Sequence, residues 1–453
     1  MEFFDKLVLP QSLEHIELLK SLSVVTLMIL LPYLGVLLGS SFFSVIFFKK
    51  GKSTKSNIPM KFSKDLIDLI TVNKSSALGL TLIPMFSFLF LYSQLLQGSG
   101  ASISGNMIFI ILITFAAVFA IYTYKYSFRL SKVLNAATLD EDKNISEYVE
   151  IKDNFENLQT STFKLLFKSG VFGVILLFIA SYLFIGVIEF VNDSSRWGTS
   201  NSIISLIFSP ETLIYYVYYL SASFSITAAY FLYKYLTPKY NCNDEYKNYV
   251  QKFSLKTLMT FILVMPVLLL VQVTSVPKHS LSNYTFVFAG IILLLILLVS
   301  IYLYFMLRES HLKYRSNVMF LMLIIFAFMI LQSQSSFNTA SQLQDKVLEA
   351  NYASYVKDFQ SSLGLETEPP VSGEAIFKAK CSACHSFDHR IVGPPYNETL
   401  PQFENNMSGL EDFIAHPRKI NPAYPQMPDQ GLKPKEVKAI AKYIMDTYKK
   451  NKK

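Results

Sequence analysis

Eight runs of mostly apolar residues, each close to the ~20 residues a helix needs to cross bilayer hydrocarbon, constrain this chain more than any other feature. They fall at 22–48, 76–97, 106–125, 169–191, 211–236, 257–276, 284–307 and 317–333. Hydrocarbon offers no water to bond exposed N–H and C=O groups, so such segments have to be helical. The expected fold is all-α: about eight transmembrane helices over 22–333, preceded by an N-terminal interfacial segment at 1–21. Composition agrees, because only 16% of the 453 residues are charged, against roughly 25% in an average soluble chain. Pro32, Pro84 and Pro266 fall inside the runs, which lipid-embedded helices tolerate. Gly35 and Gly39 in the first run, and Ser221, Ala222, Ser223, Ser225, Ala228 and Ala229 in the fifth, predict close helix–helix packing.

Charge in the loops sets the orientation. Segments 49–75, 125–168, 234–256 and 308–315 together hold twenty-two Lys and Arg, whereas Lys6, Lys20, Arg196 and Lys278 are the four of the opposite set. Positive loops stay cytoplasmic, so both termini are expected on the other face. No basic stretch or small-residue cleavage site precedes the first run, and no removable signal peptide is expected. The formal net charge of +8 lies mostly in short loops and the C-terminal tail, and does not imply nucleic-acid binding. The loop around 126–165, with mixed charge, reads as a helical hairpin extension or a solvated connector.

Beyond the last run the composition changes. Residues 334–370 read as a helical, Pro-containing linker, with an amphipathic stretch from Asn338 to Leu363 and then Glu366 to Gly373 rich in turn formers. After it comes Cys381-Ser382-Ala383-Cys384-His385. C-x-x-C-H is a haem-attachment pentapeptide, in which two thiols three apart each add to a vinyl group and the histidine lies under the iron. Val392-Gly393-Pro394-Pro395 follows as a rigid turn whose carbonyls can fix the histidine's other ring nitrogen. Further on, Met427 sits between Pro425 and Pro428 and is the candidate second axial ligand. Met407 is the rival, without flanking prolines and closer to the histidine. Helices are expected at Gly373–Lys380 and at Lys435–Lys450, the latter with Val437, Ile440, Ala441, Ile444 and Met445 on one stripe. A zinc site would need a second ligand pair, and the only other cysteine is Cys242.

Residues 371–453 thus resemble a class I cytochrome c: G-x-x-x-F-x-x-x-C-x-x-C-H, then G-P, then M-P, then a C-terminal helix. The resemblance implies that the first and last helices cross with Gly373 and Phe377 against Tyr443. It also implies one covalent haem c, anchored by Cys381 and Cys384 and axially bound by His385 and Met427. With both axial positions filled, such an iron passes single electrons and has no open site for substrate. Arg390, Arg418 and Lys419 can pair with propionates, while His389 and His416 read as solvated. The topology places this domain on the outer, periplasmic face of a bacterial cytoplasmic membrane.

The membrane region holds none of the paired histidines that a buried haem needs: His15, His279, His311, His385, His389 and His416 all lie outside the runs. Glu189 is the one acidic candidate inside a run, near its outer end beside Asp193, Arg196 and Trp197. It reads either as part of an interfacial polar cluster or as a proton acceptor beside a quinol. Tyr215, Tyr216, Tyr218, Tyr219, Tyr230, Tyr233 and Tyr235 read as an aromatic belt and packing. Three functions follow. The first is a membrane-bound electron carrier, serving as a cytochrome subunit of a respiratory complex with redox proteins and lipid as partners. The second is a quinol:cytochrome c oxidoreductase whose membrane domain oxidises the donor. The third is a purely structural membrane subunit. The first is preferred, because eight spans exceed what a tether needs and the membrane region lacks redox ligands.

Overall fold

A computed structural model describes residues 10–71, 74–136, 145–198, 203–235, 243–308, 312–363 and 371–451. Among them there is no strand. Contacts divide the chain into two compact units, Met1–Ser354 and Tyr355–Lys453. Cys242 and most of the 364–370 linker stretch lie outside the described residues.

In the first unit each apolar run corresponds to one helix, with runs 76–97, 211–236 and 257–276 extending one or two residues past its end: α1 (Leu13–Thr54), α3 (Lys74–Leu95), α4 (Ser104–Ala136), α5 (Ile145–Val191), α7 (Pro210–Tyr235), α8 (Asp244–Ser275), α9 (Asn283–Arg308) and α10 (Arg315–Ala340). The short helices α2 (Asn57–Ile70) and α6 (Ile203–Ile207) lie between them, and α11 (Gln342–Ser362) follows. Of the segment 1–21, residues 13–21 are the opening turns of α1, whose start is capped by the Ser12 hydroxyl accepting from the His15 N–H. Of the 126–165 region, 126–136 and 145–165 are the extended ends of α4 and α5, and 137–144 lie outside the described residues. Pro32, Pro84 and Pro266 all sit inside helices.

Seven of the eight long helices are apolar and long enough to cross a membrane, making this a multi-pass membrane protein. The eighth, α7, is more polar, and packing accounts for it. It runs parallel to α1: the Tyr219 hydroxyl donates to the Leu31 carbonyl, Ser223 faces Gly35 and Thr227 faces Gly39. It runs antiparallel to α8, pairing Ser221 with the Phe261 carbonyl and Tyr215 with Gln272. Its start meets the end of α5, where Thr212 donates to Glu189, and its far end packs Phe231 on Phe62 of α2. Thus α7 traverses the bundle from one end to the other, contacting α1, α5, α8 and α10. Two of its hydroxyls bond back to its own backbone, Ser223 donating to the Tyr219 carbonyl and Thr227 to that of Ser223. Buried by other helices through its middle, from 221 to 229, it needs no apolar outer face there. By contrast, α9 exposes Leu294, Leu297, Leu298 and Ile301, as a helix bathed in acyl chains does.

The end of the bundle opposite the basic loops carries a buried polar layer. Gln332 pairs with Gln272, and Gln334 accepts from Ser23 and Tyr92. Asn192 donates to Ser333, and Glu189 is paired with Arg196 at 2.7 Å. α11 is tied to this end by Lys20–Asp345 at 2.6 Å and by Gln344 donating to the Gln97 carbonyl.

The second unit builds its core from a short helix α12 (Gly373–Ile376), α13 (Tyr396–Thr399), α14 (Met407–Ala415) and the long α15 (Pro434–Asn451). The stripe expected on the last helix is its buried face: Val437, Ile440, Ala441, Ile444 and Met445 are all in the core, with Leu410 and Ile414 of α14.

A Cβ on Gly39 would stand 2.3 Å from Thr227 Oγ1 and 3.3 Å from the Ser223 carbonyl. Gly39→Val is therefore expected to cost about 1–3 kcal/mol through overpacking, lowering the thermal midpoint in detergent. Gly39→Ala combined with Thr227→Ala is expected to recover much of that loss, and equal midpoints for Gly39→Val and wild type would contradict the close approach.

Candidate functional site

The site begins where α12 starts. Ser372 caps it, its hydroxyl accepting from the Ala375 N–H. Gly373 lies so close to α15 that a Cβ there would meet the Ala439 carbonyl oxygen at 2.2 Å and Tyr443 Cβ at 2.7 Å. The Phe377 ring packs 5.6 Å from that of Tyr443. The crossing implied by the resemblance, with Gly373 and Phe377 against Tyr443, is therefore the contact between the first and last helices of this unit.

α12 then widens into a single π-turn, Phe377–Cys381, closed by the Ser382 N–H donating to the Phe377 carbonyl. The chain tightens at once: the N–H groups of Cys384 and His385 both donate to the Cys381 carbonyl. Cys381 is buried and Cys384 half-buried. Burial, and then the neighbouring Cys384, push the Cys381 thiol up from its ordinary pKa, so in the free chain it is a neutral thiol at physiological pH.

His385 is held from behind. Its Nδ1 lies 3.1 Å from the Pro394 carbonyl oxygen. That oxygen can only accept, so Nδ1 carries the proton and Nε2 keeps a lone pair. The turn that supplies the carbonyl is fixed by Val392 and Gly393 N–H groups donating to the Cys384 carbonyl. A Cβ on Gly393 would fall 2.3 Å from His385 Cε1. Tyr396 stacks on the imidazole with centroids 5.0 Å apart and planes 17° from parallel. Its phenol is pushed up by burial and stays neutral.

His385 and Met427 line the same cavity, of ≈ 330 Å³, with Pro394, Tyr396, Leu400 and Ile414 among its walls. Met407 instead opens α14 and packs on the core. Arg418 and Lys419 border the cavity, and Arg418 also reaches Asp412. Arg390 lies over the Tyr424 ring at 4.5 Å and donates to the Ala423 carbonyl. His389 contacts Ser386 and His416 contacts Asp412, both at exposed positions. Sequence reasoning missed Tyr396 and the α14 wall. The first was signalled only by an aromatic after Pro-Pro, the second by the Leu410/Ile414 spacing.

A largely apolar cavity, an oriented imidazole with a free Nε2, a thioether sulfur on the same cavity and two thiols within four residues of that imidazole in the chain form a donor set that suits an iron porphyrin.

Comparison with known proteins bears on this unit. The family profile described as cytochrome C oxidase, cbb3-type, subunit III matches residues 368–444. Cytochrome c-551 of Pseudomonas denitrificans is 33% identical over 78 residues, which is 16% of this chain and 95% of that protein. Cytochrome c-551 of Azotobacter vinelandii is 28% identical over 79 residues, again 95% of its length. No solved structure matches the chain.

Because the group facing Gly373 is backbone, which cannot swing aside, Gly373→Ala is expected to destabilise the second unit by about 1–3 kcal/mol. The check is the denaturant midpoint of this unit, which should fall while that of the membrane unit stays put.

Proposed function

The chain belongs, through residues 368–444, to the cytochrome c family, and on that premise we propose that it is a membrane-bound electron carrier with one covalent haem c. Haem-based electron transfer in a membrane protein is the chemistry the family and the helices carry. The finer reading is supported above all by one observation: His385 is locked with its Nε2 lone pair free on a cavity that Met427 shares.

In this reading Cys381 and Cys384 form the two thioether links, His385 is the proximal ligand and Met427 the distal one. A haem held by these residues would supply one-electron transfer at a potential raised relative to bis-histidine ligation. The chain's own residues hold the geometry. Pro394 fixes the imidazole tautomer and raises its basicity, Tyr396 sets the ring plane, and the Leu400 and Ile414 side chains keep water away. Arg418 and Lys419, at the rim, are placed to meet propionates. The basic-loop asymmetry supports placing this domain on the periplasmic face. The likeness to a profile named for an oxidase subunit supports a role as one subunit of a respiratory complex, with redox proteins as partners.

A second reading, in which the membrane unit oxidises a quinol and passes electrons to its own haem, is favoured by a specific feature. A cavity of ≈ 50 Å³ is lined by Tyr215, Tyr218, Gln272 and Gln332, and is bordered by Ile188, the residue before Glu189. The Tyr218 hydroxyl is buried with no partner among the described residues. In this reading Glu189 takes a quinol proton.

Pyridine haemochrome assay of the purified chain is expected to give one c-type haem. Met427→Ala should lower the midpoint potential by on the order of 0.2 V, within the ~0.8 V that axial ligation spans, and bring in high-spin absorption. Met407→Leu should leave both unchanged; the reverse pattern would reassign the distal ligand. Rapid, inhibitor-sensitive haem reduction by a quinol in the purified chain would select the second reading, and reduction by ascorbate alone the first. In a Cys242→Ser background, an impermeant maleimide should label Lys278→Cys but not Lys55→Cys in spheroplasts; the opposite would invert the topology.

A further inference from the structure

We propose that the end of the membrane unit carrying the basic loops holds a site for the phosphodiester headgroup of an anionic phospholipid. The site is a pocket of ≈ 440 Å³ where α1, α2, α4 and α5 converge. Its walls are Phe48 of α1, Phe128 of α4, and Phe163 and Leu166 of α5. Its cations are Lys61 and Lys64 of α2 and Lys132 of α4.

Depth is the first argument. α5 ends at Val191, beside the Glu189–Arg196 ion pair that marks the opposite interface. Leu166 lies roughly 38 Å back along that helix at 1.5 Å per residue. Counted in the same way, Phe128 is roughly 36 Å from Ser104, and Phe48 roughly 42 Å from Lys20. Hydrocarbon is about 30 Å thick and the bilayer with its headgroups about 40–45 Å. Walls on three helices therefore reach the headgroup layer together.

Charge is the second. Aromatic faces hold two ammonium groups at the rim, Lys61 at 4.2 Å from the Tyr246 ring and Lys52 at 4.7 Å from that of Phe163. Lys64 also approaches Asp68 at 3.8 Å. The carboxylate lining the pocket, Asp65, accepts from the Tyr246 hydroxyl at 2.6 Å, and it stands alone against the three lysines of the lining. A free phosphate would gain nothing from Phe128, Phe163 and Leu166. A phospholipid uses both halves of the site, lysines for the phosphate and rings for the glycerol and first methylenes. Basic pockets between transmembrane helices are known to take such headgroups.

The test uses the full chain in nanodiscs of phosphatidylcholine, with or without phosphatidylglycerol, reading retained lipid by native mass spectrometry. The K61Q/K64Q/K132Q variant is expected to retain phosphatidylglycerol about tenfold less well relative to phosphatidylcholine, with haem absorbance unchanged. Wild-type retention in that variant would overturn the proposal. So would thermal stabilisation of the detergent-purified chain by inorganic phosphate to the level phosphatidylglycerol gives, since that marks a soluble-anion site. Should the triple variant not fold, K132Q alone is expected to lose about threefold, while the three Lys→Arg changes retain binding; undiminished retention in K132Q overturns it equally.

Discussion

The approach of α1 to α7 at Gly35 and Gly39 is the contact on which the membrane unit depends. Inside a bilayer, lipid tails are as apolar as leucine, so helices gain little from hiding apolar surface and associate through close packing and hydrogen bonds. Two glycines one turn apart let Ser223 and Thr227 come within contact of the α1 backbone, and the Tyr219 hydroxyl adds a bond to the Leu31 carbonyl. That closeness permits a helix rich in Tyr, Ser and Thr to cross the membrane, because α1, α5, α8 and α10 cover it. The apolar helices around α7 then supply the lipid-facing surface.

The same fact explains what the amino-acid order revealed and what it withheld. The runs predicted every long helix because burial in lipid needs length and apolarity, both local properties. α7 falls below the apolarity of the others although it crosses the bundle, since what matters for an enclosed helix is its partners. Gly35, Gly39 and the small residues of α7 announced that a close contact existed. The register joining 35 to 223 and 39 to 227 is a long-range property that spacing does not encode. At the end opposite the basic loops, Arg196 beside Glu189 could be read from seven-residue proximity, whereas the His279–Asp193 contact at 2.9 Å joins residues far apart in the chain.

The smaller unit was more readable because its motif is compact. Cys381, Cys384, His385 and Pro394 lie within fourteen positions, and their bonds are turns and caps that sequence spacing fixes. Tyr396, Leu410 and Ile414 reach the cavity through the packing of α13, α14 and α15, which spacing alone does not order. The two units divide the labour. The first supplies a membrane-spanning bundle with a buried polar layer at the end opposite the basic loops, and the second a haem-type electron-transfer site. A bundle of this size exceeds what anchoring requires.

The π-turn at Phe377–Cys381 has an effect on phase. A regular helix advances 100° per residue, which ties the direction of Cys381 to that of Gly373 and Phe377. Those two residues must face α15, and the cysteine must face the cavity. The wider turn closed by the Ser382 N–H and the Phe377 carbonyl slips the angular register between the two demands. It works as a clutch in the backbone: the helix crossing and the attachment pentapeptide can each keep its own orientation, so side chains on one can vary without re-aiming the other.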